Sequence, residues 1–120
     1  MKIWLDDTRN PAESLPYQRW WRDEPEARLD DWIWVRTAPE VIAWLSVGGV
    51  DEISLDHDLG SSPGAGKGID VLNWIDEQVV NTEDYEPPVI HIHSGNLPGH
   101  HAMELARDAI HRHLEERKHR

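Results

Sequence analysis

The sequence contains no cysteine. Disulfides, thiolate nucleophiles and Cys-bearing zinc sites are therefore excluded. Phenylalanine is also absent, against seven tryptophans, so the core is expected to rest on indoles whose N–H groups need partners. No apolar run approaches the ~20 residues of a membrane span. The opening Met1-Lys2-Ile3-Trp4-Leu5-Asp6-Asp7 meets charge too early for a secretory signal. A soluble, cytoplasmic protein with no membrane contact is the expectation. Basic residues are scarce: 12 Lys and Arg stand against 23 Asp and Glu, a formal net charge of -11. This disfavours an extended grip on nucleic-acid backbone, which needs cations to displace counter-ions. It leaves room for a small phosphate ligand held locally with a metal ion. The 120 residues carry no internal repeat and no long linker, and are expected to form one domain, 1–120.

What is present is an alternation of short apolar runs and helical patterns. Lys2 to Leu5, Trp32 to Arg36, Val50 to Asp56 and Val89 to Ser94 read as strands. A helix should open at Thr37, with Glu40 completing a capping box, bury Val41, Ile42, Trp44 and Leu45, and stop at Gly48-Gly49. Ile69 to Val80 places Ile69, Leu72, Ile75 and Val79 on one stripe. Pro98 to Arg117 does the same with Met103, Ala106, Ile110 and Leu114, and its His111, His113 and His119 read as solvated. Asn10 to Asp31, broken by Pro11, Pro16 and Pro25, reads as irregular. Its run Arg19-Trp20-Trp21-Arg22 suits either stacking of a nucleobase or plain coverage of a sheet face. The strand–helix alternation predicts a parallel α/β sheet.

Three strands end in polar clusters. The first ends in Asp6, Asp7 and Arg9, the third in Asp56, His57 and Asp58, and the fourth in His93, Ser94 and Asn96. Ligands gather at the carboxyl ends of parallel strands, and right-handed crossovers bring these tips to one edge. Carboxylates crowded there cannot all ionise cheaply without a cation. An oxygen-rich set suits Mg²⁺ or Mn²⁺, and an imidazole in reach would admit Zn²⁺ or Fe²⁺. The alternatives are a solvated acidic rim or helix caps. His91 shares a strand face with His93 and reads equally well as a satisfied buried histidine. The loop Gly60 to Gly68 lacks the order of a P-loop and is as readily a plain surface connection.

These motifs carry a resemblance. Asp6-Asp7, Asp56 after an apolar strand, Gly68-Ile69-Asp70-Val71 opening a helix, and Ser94 after a fourth strand resemble the response-regulator receiver fold. The likeness implies a flavodoxin-like three-layer fold with a four-stranded parallel sheet in the order 2-1-3-4. A receiver's fifth strand, its lysine and its fifth helix have no counterpart, and Lys67 sits in the wrong place. Leu5-Asp6-Asp7-Thr8-Arg9, Ser54-Leu55-Asp56-His57-Asp58-Leu59-Gly60 and His93-Ser94-Gly95-Asn96 together resemble a divergent branch, the cyclic-phosphate processing receiver-like domains. That resemblance implies a metal-dependent phosphoesterase that opens a 2′,3′-cyclic RNA end or a cyclic nucleotide. Asp6, Asp7, Asp56 and Asp58 are the expected metal group. Arg9, Ser94 and Asn96 are expected to bind phosphate oxygens. His57 or His93 is expected to supply a proton, and Asp56 to act as ligand or nucleophile. The rivals are a non-catalytic protein- or nucleotide-binding module and an atypical phosphoacceptor receiver.

Overall fold

The structure, a computed structural model, describes residues 1–21 and 29–119. Arg22 of the Arg-Trp-Trp-Arg run lies outside those residues, as does the segment around Pro25. Four parallel strands, β1 (Lys2–Leu5), β2 (Trp32–Val35), β3 (Glu52–Leu55) and β4 (Val89–Ile92), form one sheet in the order β2-β1-β3-β4. This is the receiver-like order that the motifs implied. The helices are α1 (Pro11–Ser14), α2 (Ala38–Val47), α3 (Gly68–Asn81) and α4 (Leu97–Lys118). β2, β3 and β4 are shorter than the runs that encode them, although the Asp56 and His93 N–H groups still bond to the neighbouring strand beyond the strand ends.

Local chemistry sets the helix ends. The Thr37 hydroxyl accepts from the Glu40 N–H at 3.3 Å, the expected N-cap, and donates to the Glu40 carboxylate at 2.9 Å, so Glu40 bonds the cap's side chain and not its backbone N–H as a full capping box would. Asn96 caps α4 by accepting from the Gly99 N–H at 3.1 Å. The first helix is a single turn, with the Asn10 side chain accepting from the Ala12 N–H at 2.8 Å and Pro11 in its first position. Prolines limit it to that turn and a 3-10 turn at Leu15–Tyr17.

Strand alternation divides the molecule. Ile3, Leu5, Ile53, Leu55, Ile90 and Ile92 face α2, α3 and α4 and form the main core with Val41, Leu72, Ile75, Met103 and Ile110. Trp44, expected in that core, is 41% exposed, because Ala38, Val41 and Leu45 already define the buried stripe of α2. The other sheet face carries Trp4 and Trp32, covered by Leu15 with Trp20, Trp21 and Trp34 packed around them. The third layer is thus one helical turn, a 3-10 turn and a cluster of indoles. Trp20 lies flat on His91, 3.8 Å between ring centroids, and packs against Trp32. Coverage of the sheet is the use its position gives it. His91 is held at 2.6 Å from the Glu52 carboxylate. His113, read as solvated, meets Asp76 across α3 and α4 at 2.7 Å. No helix among the described residues is long and apolar enough to cross a membrane.

Candidate active site

The site grows from the tip of β1. The Asp6 N–H bonds to the Val35 carbonyl at 3.1 Å, continuing the β1–β2 ladder by one residue. The chain then turns, because Asp6 Oδ1 accepts from the N–H groups of Thr8 (3.0 Å) and Arg9 (2.9 Å), the usual way an aspartate closes a tight turn. The Trp34 indole donates to the Asp6 carbonyl at 2.7 Å, and the Trp4 indole to the Arg9 carbonyl at 2.9 Å. Two tryptophan N–H groups thereby fix this turn from below.

Asp6 is fully buried, and so is the ring behind it. His93 Nε2 lies 3.1 Å from Asp6 Oδ2, and His93 Nδ1 lies 2.7 Å from the Ser54 hydroxyl. The ring stacks on Trp4 with centroids 3.6 Å apart and planes within 2°. Burial pushes the His93 imidazole pKa down, against the pull of the Asp6 carboxylate. A neutral ring in this frame carries its proton on Nε2, donates to Asp6 and accepts from Ser54. Burial alone would raise the Asp6 carboxyl, but the bonds from His93, Arg9 and Thr8 outweigh it and hold its pKa below the usual value.

Asp56 comes off β3 beside Asp6, its N–H bonding to the Leu5 carbonyl at 2.9 Å. Gly68 opens α3 so close to the Asp56 carbonyl that a Cβ there would collide with it. Asp6, Asp7 and Asp56 converge: one oxygen from each lies within 4.8 Å of the other two. Burial and the neighbouring Asp6 and Asp7 charges raise the Asp56 pKa to about 6, although the His57 N–H (2.8 Å) and Arg9 counteract them. The group is therefore short of positive charge in a pocket of hard oxygen donors. That is the condition a divalent cation relieves, so the residues fit one.

Asp58, expected among the ligands, stands outside this trio. Its Oδ1 takes His57 Nδ1 at 3.0 Å and its Oδ2 takes the Asn96 amide at 3.0 Å, and both bonds lower its pKa. Asn96 is likewise occupied, capping α4 with one end and holding Asp58 with the other. His93 has both nitrogens engaged and a side chain with no exposed surface, whereas the His57 side chain keeps 13% of its surface. Arg9 reaches Gly95 in the loop after β4, where an added Cβ would lie 3.5 Å from the guanidinium. The Ser94 hydroxyl accepts from the Asn96 N–H at 3.1 Å, which leaves its own proton to donate. Sequence alone did not single out Ser54 and Trp4. The available signal was parity: Ser54 is a polar residue between Ile53 and Leu55 and faces the same way as Asp56.

A model of the cyclic-phosphate processing Receiver domain matches residues 1–109. The chain belongs to that family. Searches of curated proteins and of solved structures each returned no match. Membership agrees with a cyclic-phosphate-processing domain that can use a metal at its clustered aspartates. In this chain His57, Asp58 and His93 stand at the same strand ends as the clustered aspartates.

Proposed function

We propose that this domain is a metal-dependent phosphoesterase that opens a cyclic phosphate on a nucleotide or an RNA end. The observation that carries the reading is the convergence of Asp6, Asp7 and Asp56, with Arg9 and His57 acting directly on Asp56. Asp6, Asp7 and Asp56 would hold Mg²⁺ or Mn²⁺. All three donors are carboxylate oxygens, and both nitrogens of His93, the imidazole that meets Asp6, already have partners, which weighs against Zn²⁺ or Fe²⁺. When bound, the cation supplies Lewis-acid polarisation of the phosphoryl group and a more acidic water.

The chain's own residues do the rest. Arg9 and Ser94 bind non-bridging phosphate oxygens and orient the ring. Water adds to phosphorus, one ring P–O ester bond breaks, and a phosphomonoester results. The departing alkoxide takes a proton from His57 Nε2, while Asp58 fixes the ring through Nδ1. The proton lost by the attacking water returns to solvent, from which His57 is recharged. His93 and Ser54 act as positioning residues, locking Asp6 in place. The test is incubation of the protein with Mg²⁺ or Mn²⁺ and 2′,3′-cyclic or 3′,5′-cyclic nucleotides, reading phosphomonoester by phosphorus NMR. Opening that disappears in Asp56→Ala is the expected result. No opening above the Asp56→Ala background overturns the reading, and tight binding without turnover would make this a binding module instead.

A further inference from the structure

Beside the phosphate-binding end of β4 lies a cavity of about 410 Å³, within the range of small-molecule sites. Its walls come from three places. The segment before β2 gives Tyr17, Arg19 and Trp20, the end of β4 gives Ser94, and α4 gives His100 and Arg107. His93 also borders it, and apart from Ser94 and His93 none of the lining residues has a role in the reaction proposed above. We propose that this cavity receives the nucleoside of a nucleoside cyclic phosphate whose phosphate lies at Ser94, an inference that rests on the cyclic-phosphate reading.

Position is the first argument. Ser94 belongs both to the cavity and to the strand tips, so a ligand with its phosphate at Ser94 has the cavity directly beside it. Chemistry is the second. In a chain of net charge -11, the cavity walls bring together two guanidinium groups, Arg19 and Arg107. Arg107 uses one N–H on the Ile90 carbonyl at 3.2 Å, which pins its fork at the cavity wall with further donors remaining. Tyr17 is 86% exposed, an aromatic face with no packing role. Guanidinium planes and a free aromatic ring are what a nucleobase stacks on. A base-free cyclic polyol phosphate would use neither. Rigidity is the third. Trp20 is clamped on His91, and His91 on Glu52, so the floor is already in place before any ligand arrives.

The test compares two ligands by isothermal titration calorimetry on the full chain with Mg²⁺. These are adenosine 2′,3′-cyclic phosphate and glycerol 1,2-cyclic phosphate, which shares the phosphate ring but has no base. The nucleoside ligand is expected to bind about tenfold more tightly. Tyr17→Ala and Arg19→Ala, both at exposed positions, are each expected to weaken it about fivefold and to leave the glycerol ligand alone. Equal affinity for the two ligands, with both opened, overturns this inference and leaves the phosphoesterase reading standing. Nucleoside binding that the two variants weaken, with no ring opening, supports the cavity and overturns the phosphoesterase reading. Binding of neither ligand overturns both. A short RNA with the same cyclic end distinguishes the source: affinity within about twofold of the mononucleotide assigns a free nucleotide, and a larger gain assigns an RNA end, in both cases with the terminal base in the cavity.

Discussion

Replacing Asp56 with asparagine is expected to make the metal-free protein more stable, not less. Burial and the Asp6 and Asp7 charges lift the Asp56 pKa from 3.8 to about 6 in the folded state. A raised carboxyl pKa means that the folded chain holds its proton more tightly than the unfolded chain. The stability this gives is present below the unfolded pKa and is lost as pH rises through about 6. By pH 7.5 the ionised side chain costs about 3 kcal/mol relative to its neutral form, and at pH 5 roughly half of that. The asparagine would carry no charge and could still accept from the His57 N–H, so the variant should recover most of that penalty. In a domain of this size, about 3 kcal/mol corresponds to a rise in Tm of roughly 10 °C. Thermal unfolding of both proteins in chelator, at pH 7.5 and pH 5, measures the difference and its decline with acidity. Added Mg²⁺ should then raise the Tm of the wild type and leave Asp56→Asn nearly unmoved. A variant less stable than wild type at pH 7.5 in chelator, or a gain that does not shrink towards pH 5, would refute the account of a strained, cation-seeking carboxylate cluster.

Other outcomes follow from the same geometry. Apparent Mg²⁺ affinity should fall about tenfold per pH unit below pH 6, as protons compete for Asp56; calorimetric titration across pH 4.5 to 7.5 checks this. Ser54→Ala removes the 2.7 Å partner of His93 and leaves a buried ring nitrogen unsatisfied. It should cost about 1–3 kcal/mol in urea unfolding and weaken metal binding about tenfold. In Gly99→Ala the new methyl would lie 2.7 Å from the His57 ring. The displaced imidazole should lower kcat about tenfold or more with Mg²⁺ affinity unchanged, which kinetics and calorimetry together resolve. His57→Gln should lower kcat by roughly 10²-fold or more while the Tm moves by only a few degrees.

Much of the scaffold was legible because it depends on local pattern. Thr37 and Glu40 announce a capped helix, and the apolar runs ending at Asp6, Asp56 and Ser94 announce strand tips of one parallel sheet. The convergence of Asp6, Asp7 and Asp56 followed from topology once three strands were parallel. What stayed hidden depends on depth and on distant partners. Ser54 meets His93 from 39 residues away, so nothing beside either residue announces the bond. His57 and His93 look interchangeable in sequence, yet strand parity sends His93 inward onto Trp4 while His57 leaves the sheet in a loop. Asp56 and Asp58 sit close together in sequence, and Asp58 turns away to His57 and to Asn96, the latter 38 residues distant at the start of α4. The third layer was unreadable because indole packing follows no helical or strand period.

The contact between Trp4 and His93 also has an optical consequence. An imidazole quenches the emission of an indole it touches, and does so more strongly when charged. Trp4 is fully buried against a ring that is in turn bonded to Asp6. Any event that alters the field at Asp6 is therefore transmitted within two contacts to a fluorophore that the chain already contains. Occupancy of the strand tips can be followed from within the fold, in real time and without a label, and Trp4→Tyr would identify which part of the light belongs to the site.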